Sequence, residues 1–358
     1  MSAEVKNILE SAVSGERLSR KDGLALFEHG NLAELGMIAD YICRKLHPEP
    51  YRTYVIDRNI NYTNICTSGC KFCAFYKPPG DSVGYVLSNE AVLQKIQEAV
   101  DLGATQILMQ GGLNPALKID FFESLFRAVK ELFSVQLHSL SAPEIAYIAR
   151  ISDLDLKTTI RRLADAGLDS IPGGGAEILV DRVREQLSPN KVKTAEWLEV
   201  MRLAAPAGLR ATATMMFGHI ETIADRIDHM LAIRSLQDET GVFTAFIPWT
   251  YQPGNTALGG VTVGGHEYLK TLAISRIMLD NIPNIQASWV TQGARVAQVT
   301  LSFGANDIGS TMIEENVIAA AGVRFRLSEA RLIELIHGAG FDAAQRDTAY
   351  KILKTYSK

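Results

Sequence analysis

The sequence predicts an α/β protein: a partial parallel barrel of six strand–helix units, a (βα)6 barrel of the TIM type, with an N-terminal helical prefix and a C-terminal α/β extension. Three observations predict it. Short β-rich runs alternate with longer amphipathic segments, the pattern of right-handed βαβ units and a parallel sheet. The 358 residues, 47% hydrophobic and 21% charged, suffice for one large core. Polar or Gly-rich sequence follows strand after strand, as it does at the carboxyl face of a barrel. The expected division is 1–50 for the prefix, 51–260 for the barrel core and 261–358 for the extension capping it.

In the prefix, LALFEHGNLAELGMIADYICRKL places apolar residues three and four apart, and the prolines of HPEPY end it. The first strand is YVIDRNINY from Tyr54. TQILM (105–109), SVQLHSL (134–140), LDSIP (168–172), RATATMM (210–216) and VFTAFIPW (242–249) follow. Helical patterns such as NEAVLQKIQEAVDLG and IDFFESLFRAVKELF separate them. Pro206 falls inside one of these, TAEWLEVMRLAAPAG, and should kink or end it. Six units fall short of the eight of a closed barrel, so a partial barrel is expected, with an open doubly wound sheet as the alternative. The extension offers a helix, GGHEYLKTLAISRIMLDN, a strand in NIQASWV, the Gly-rich FGANDIGS and closing helices, which should complete or cap the barrel.

Charge narrows the function. Lys plus Arg number 36 against 40 Asp plus Glu, a net charge of −4 without a basic run, so no nucleic-acid partner is expected. No stretch approaches about 18 uninterrupted apolar residues, and the opening MSAEVKNILESAVSGERLSRKDG is charged where a signal peptide is apolar. A cytoplasmic protein with no membrane partner is the expectation. Three of the four cysteines, Cys66, Cys70 and Cys73, crowd into eight residues, which makes little sense as a disulfide framework and points to metal or cluster ligation.

The spacing is C-x3-C-x2-C, just after the first strand. Three thiolates on one loop can reach three irons of a [4Fe–4S] cube and leave the fourth without a protein ligand. Structural zinc needs four ligands, and the nearest extra ones, Cys43 and His138, lie far off in sequence. An electron-transfer ferredoxin supplies cysteine to every iron. Cys43, inside MIADYICRKL, reads as a small buried hydrophobe.

With Phe72 before its last cysteine, this loop resembles the signature of the radical S-adenosylmethionine (SAM) superfamily. The resemblance implies a [4Fe–4S] cluster on Cys66, Cys70 and Cys73, SAM as co-substrate on the open iron, and a 5′-deoxyadenosyl radical that removes a hydrogen atom from substrate. It further implies that Gln110, Gly111 and Gly112 approach the SAM amino group. Glu177, after Gly173–Gly175, would meet the ribose hydroxyls or ammonium, with Tyr76 and His138 as further contacts. Each has a plainer reading: a glycine pair after a strand as a turn, Glu177 as a helix-opening acid, His138 and His219 as satisfied structural histidines.

Taken together, RNINYTNIC, CKFCAFYK, ILMQGGLNP, LDSIPGGGAEIL, TATMMFGHIET, NIQASWVTQG, FGANDIGSTMIEENV and AQRDT resemble the cyclic dehypoxanthine futalosine synthases of the futalosine route to menaquinone, from about residue 20 to the C-terminus. That family pattern favours a basic residue at Gly69, His at Pro206, Phe at Tyr251 and Met at Ile313; none of these departures removes a cysteine ligand. The resemblance implies abstraction of the ribose C4′ hydrogen of dehypoxanthine futalosine, radical addition to its benzoate ring, then loss of an electron and a proton. Candidates for the base are His219, Glu221, Asp307, Glu314 and Glu315. For the carboxylate they are Ser288, Thr291, Gln292, Arg295, Asn306 and the backbone of Gly304–Gly309. An electron donor such as flavodoxin or ferredoxin is implied, and a homodimer is open. The alternatives are aminofutalosine synthase, a deazaflavin-forming synthase subunit or, outside enzymes, an iron–sulfur carrier or sensor; the last gives no reason for the Gly-rich strand ends.

Overall fold

The computed structural model describes residues 2–358. The chain opens with three helices, Ala3–Ser14, Arg20–His29 and Leu32–Leu46, whose first N–H groups are capped by Ser2, Ser19 and Asn31; Ser19 and Asp22 form a reciprocal capping box. The third buries Leu35, Ala39 and Cys43, the reading made for that cysteine, and packs on the later helix Gly265–Met278.

Past the prolines the chain enters β1 (Tyr51–Val55) and β2 (Asp57–Ile60), one strand interrupted at Ile56. Then come β3 (Gln106–Met109), β4 (Gln136–Ser139), β5 (Ser170–Ile171), β6 (Arg210–Phe217), β7 (Phe243–Thr250) and β8 (Asn284–Ile285). Strands β2 to β8 lie in sequence order in one curled parallel sheet, the partial barrel with a seventh strand added. The outer helices put their apolar stripes on this sheet. Ile119–Leu132 alone buries Phe122, Leu125, Phe126 and Val129, each stabilising by about 1.5–3 kcal/mol. Pro206 ends the helix Thr194–Ala204 in a 3-10 turn, Ala205–Ala207.

The extension departs from expectation in three places. NIQASWV is strand only in β8, and Trp289 begins a helix, Trp289–Thr300, broken where Gly293 takes φ 80°. Part of the Gly-rich stretch is β9 (Asp307–Ser310), because pairing with β1 and complete burial of Asp307 and Ile308 override weak local propensity. The closing helices are present as Val317–Ala320 and Glu329–Gly338, but a hairpin not expected from the sequence follows them, β10 (Asp342–Arg346) and β11 (Ile352–Tyr356). These strands form a second sheet, ordered β11-β10-β1-β9. Gln286, just past β8, bridges to Asp307 of β9, and β9 pairs in parallel with β1. The ring of strands therefore returns to its own beginning. No described helix is long and apolar enough to cross a membrane.

Candidate active site

Inside the ring lies a cavity of about 270 Å³. Asn61, Gln110, Gly173 and Gly174 line its upper end, at the carboxyl ends of the strands; Leu108, Ile247 and Trp249 line its walls; Asp57, Gln106, His138, Arg346 and Tyr350 line its floor.

The cysteine loop sits beyond the upper end and is tied down on several sides. Cys66 N–H donates to Lys77 O at 2.8 Å, Thr67 N–H to Leu113 O at 3.0 Å, Lys71 N–H to Leu187 O at 2.9 Å and Leu258 N–H to Lys71 O at 2.9 Å. Ser68 N–H lies 3.4 Å from Cys66 Sγ, and Ser68 Oγ 3.1 Å from Cys70 Sγ. Burial pushes the Cys70 and Cys73 thiols up; the Lys191 charge pulls Cys70 back, and the Tyr76 N–H does the same for Cys73. Among the described residues no three His, Cys, Asp or Glu side chains form a group positioned to hold a single metal ion. The donor set fits a cluster, which takes one thiolate per iron: three cysteines on one anchored loop, backbone and hydroxyl donors facing sulfur, and a buried cation beside them.

The glycines after β3 pack tightly against the segment that leads into the cysteine loop. A Cβ on Gly112 would stand 2.2 Å from Ile65 O, and one on Gly111 2.7 Å from the Tyr62 ring. Gly111 N–H donates to Glu144 at 2.8 Å, and the same carboxylate takes the Tyr62 hydroxyl at 2.8 Å. Glu177 is buried in a left-handed backbone conformation, φ 40°, and pairs with Lys191 at 2.8 Å. Burial works to raise Glu177, but the Lys191 and Arg184 charges outweigh it and hold the carboxyl below its usual range. Lys191 Nζ also lies 5.4 Å from the Phe72 ring centre. Lys191 thus joins Glu177 to the cysteine loop, and nothing in SPNKVK distinguished it from a surface lysine.

His138 faces the cavity from within β4, its Nδ1 2.7 Å from Ser170 Oγ and its Nε2 3.4 Å from Thr212 Oγ1. Burial and the Arg346 charge push it down to about 3, so it is neutral. The five base candidates lie outside the cavity lining. His219 Nε2 is 3.0 Å from Met216 O, and its Nδ1 is 2.7 Å from Ile220 N and 3.0 Å from Glu221. Glu221 accepts the Gly218 and His219 N–H groups and pairs with Arg226; against burial, the His219 side chain, the Arg226 charge and the Gly218 N–H hold it at about 2. The pair clasps the turn after β6. Asp307 is bound along one edge by Arg346. Glu314 pairs with Arg58 and Lys95. Glu315 caps Val317–Ala320, accepting from the N–H groups of 317, 318 and 319. Of the carboxylate-binding candidates, Ser288, Thr291 and Gly309 reach the lining. Gln292 binds Thr250, and Asn306 is taken by Arg276. Asp57, Gln106, Arg346 and Tyr350 were missed, since an inward strand position and a hairpin tip carry no local signal.

The comparisons agree with this geometry. The model of the Radical SAM superfamily matches residues 60–233, and that of the CofH/MqnC C-terminal region matches 240–358. The cyclic dehypoxanthine futalosine synthase of Halalkalibacterium halodurans is 47% identical over 98% of this chain and 96% of its own. The 5-amino-6-(D-ribitylamino)uracil–L-tyrosine 4-hydroxyphenyl transferase 1 of Methanosarcina acetivorans is 41% identical over 97% and 93%. The crystal structure of methylornithine synthase (PylB) superposes with a TM-score of 0.74 at 16% identity, covering 93% of this chain and 96% of that one, a likeness of fold. A barrel of this kind, three cysteines on the loop after its first strand and near full-length similarity to that synthase and that transferase lead to one assignment: the chain is an enzyme of the radical SAM superfamily, in the branch that carries the CofH/MqnC C-terminal region.

Proposed function

We propose that the chain is a cyclase that converts dehypoxanthine futalosine to its cyclic form, with a [4Fe–4S] cluster on Cys66, Cys70 and Cys73, SAM as co-substrate, and flavodoxin or ferredoxin as electron donor. The observation that carries this is the 47% identity to a synthase of that name across both the barrel and its C-terminal region. When bound, the cluster and SAM supply a 5′-deoxyadenosyl radical that takes the ribose C4′ hydrogen.

The chain's own residues do the rest. Gly111 and Gly112 let the backbone close on the cysteine loop, and the Glu177–Lys191 pair offers an oriented carboxylate and ammonium beside it. Trp249, Ile247 and Leu108 give the substrate's aromatic ring an apolar wall and keep water from a carbon radical. His138, neutral and facing the cavity, takes the ring proton: once the cyclised ring radical has given back the one electron that reductive cleavage of SAM consumes, the arenium cation left is a strong acid, so a weak base suffices.

The test is anaerobic reconstitution with iron and sulfide, then reductant, SAM and dehypoxanthine futalosine, with 5′-deoxyadenosine and substrate mass followed together. Deoxyadenosine with a product lighter by a hydrogen pair is expected; deoxyadenosine with unchanged substrate refutes the cyclase. The 41% identity to the 4-hydroxyphenyl transferase favours a second reading, checked in the same assay with L-tyrosine and 5-amino-6-(D-ribitylamino)uracil.

A further inference from the structure

The β10–β11 hairpin plugs the barrel floor. Its tip is a tight turn in which Asp347 N–H donates to Lys351 O at 3.0 Å and Asp347 Oδ1 accepts from the N–H groups of Ala349 and Lys351, both at 2.9 Å. The turn brings Arg346, Thr348 and Tyr350 to the cavity lining. Thr348 is spent on the barrel, its N–H on Gln136 at 2.9 Å and its hydroxyl on Gln106 at 2.7 Å. The Arg346 guanidinium lies 4.0 Å from the Tyr350 ring centre and pairs along one edge with Asp307.

Tyr350 is anomalous twice. Its backbone is left-handed, φ 65°, a strained conformation for a bulky residue. Its hydroxyl is buried and has no hydrogen-bond partner. A buried polar atom without a partner is unfavourable, and strain of this kind persists where a ligand uses it.

We propose that this floor is the subsite for the substrate's aryl carboxylate, with the Tyr350 hydroxyl as its principal donor and Arg346 and Asp57 beside it. The proposal rests on the cyclase reading above. What the floor has left to offer is donors: the Tyr350 O–H, and the N–H of Arg346 that its partners Asp307, Asp347 and Gln286 leave over. A carboxylate only accepts, and is the group such a floor matches. Asp57 is held off by its own partners: Ser310 donates to one oxygen and Gln106 to the other, and burial pushes the carboxyl up to about 6, toward the neutral form that opposes a second carboxylate less. The length fits: from Gln106 to Gln110, along β3 to the cysteine loop, is about 13 Å of strand, enough to seat a ribose at the mouth and a carboxylate at the floor.

The test is Tyr350→Phe in the reconstituted holoenzyme, assayed with dehypoxanthine futalosine and with its methyl ester. Wild type is expected to favour the acid at least tenfold in KM. In the variant the KM for the acid rises about tenfold, the preference disappears, kcat changes little, and the melting temperature is unchanged or higher because the hydroxyl has no partner to lose. An unchanged KM and preference, or a lower melting temperature, overturns the proposal. Calorimetric titration of 3-acetylbenzoate into both proteins needs no turnover, so the subsite stays testable if the cyclase reading fails. Equal affinity for the two proteins, or no binding to wild type, overturns the subsite; weaker binding to the variant supports it.

Discussion

Gly112→Ala asks whether the loop after β3 sets the position of the first cysteine. The added Cβ would stand 2.2 Å from Ile65 O, 2.7 Å from Ile65 C and 2.8 Å from Cys66 Cβ. That is roughly 1 Å inside van der Waals contact. The nearest atoms are backbone, so no side-chain tip can swing away. The two segments are also stitched together, Gly112 N–H to Thr63 O at 3.1 Å and Thr67 N–H to Leu113 O at 3.0 Å. Ile65 and Cys66 must therefore move by about 1 Å, at about 1–3 kcal/mol of folding stability, while a functional constellation tolerates only about 0.5 Å. The expected variant folds with a melting temperature several degrees lower, and after anaerobic reconstitution holds a small fraction of the wild-type iron, acid-labile sulfide and visible absorbance. Gly80→Ala is the control: φ is 87° there with nothing within 4 Å, so it carries strain without crowding and should load iron normally. Full iron and normal SAM cleavage in Gly112→Ala, or equal iron loss in Gly80→Ala, refutes the reasoning.

Two further outcomes follow from buried charge. Lys191→Met leaves the Glu177 carboxylate buried without its cation and should lower stability by about 3–5 kcal/mol in denaturant titration; adding Glu177→Gln should recover a large part of that. His229 is fully buried, accepts the Leu179 N–H at 2.9 Å, and is pushed down to about 3 by burial and the Arg184 charge. Its folded value is depressed, so its contribution is present above the unfolded value of about 6.5 and lost as the pH falls toward 3. Between pH 7.5 and 4.5 about two pH units of that loss apply, at 1.36 kcal/mol each, so the penalty of His229→Gln should shrink by about 3 kcal/mol. A pH-independent penalty in urea melts would contradict the assignment.

The parts of the site that lie within one short segment were legible. The cysteine loop, the glycines at 111–112 and the acid at 177 each announce themselves by spacing next to a strand, and the six barrel strands by their alternation with helices. What failed was non-local. FGANDIGS reads as a loop until β1 is beside it, since its strand character comes from pairing and burial rather than from its residues. His219 and Glu221 look catalytic in FGHIET, but whether a strand-end acid faces substrate depends on neighbours, and here Arg226 and two backbone N–H groups occupy it. Asp57, His138, Arg346 and Tyr350 meet on one floor from three stretches widely separated in the chain. A pattern search sees each of them singly.

Tyr51 of β1 pairs with Asp342 of β10, and on its other side β1 lies against β9. The strand made first among those of the ring therefore waits for partners made almost last. At about 5–20 residues per second of synthesis, roughly 290 residues separate the two, a delay of about 15–60 s in which β1 has two bare edges. The cysteine loop follows β2, whose partner β3 emerges early in that interval while β1 still waits. Premature termination before β9 therefore leaves the ring of strands open, and termination between β9 and the last hairpin leaves one edge of β1 bare, so neither yields a smaller enzyme.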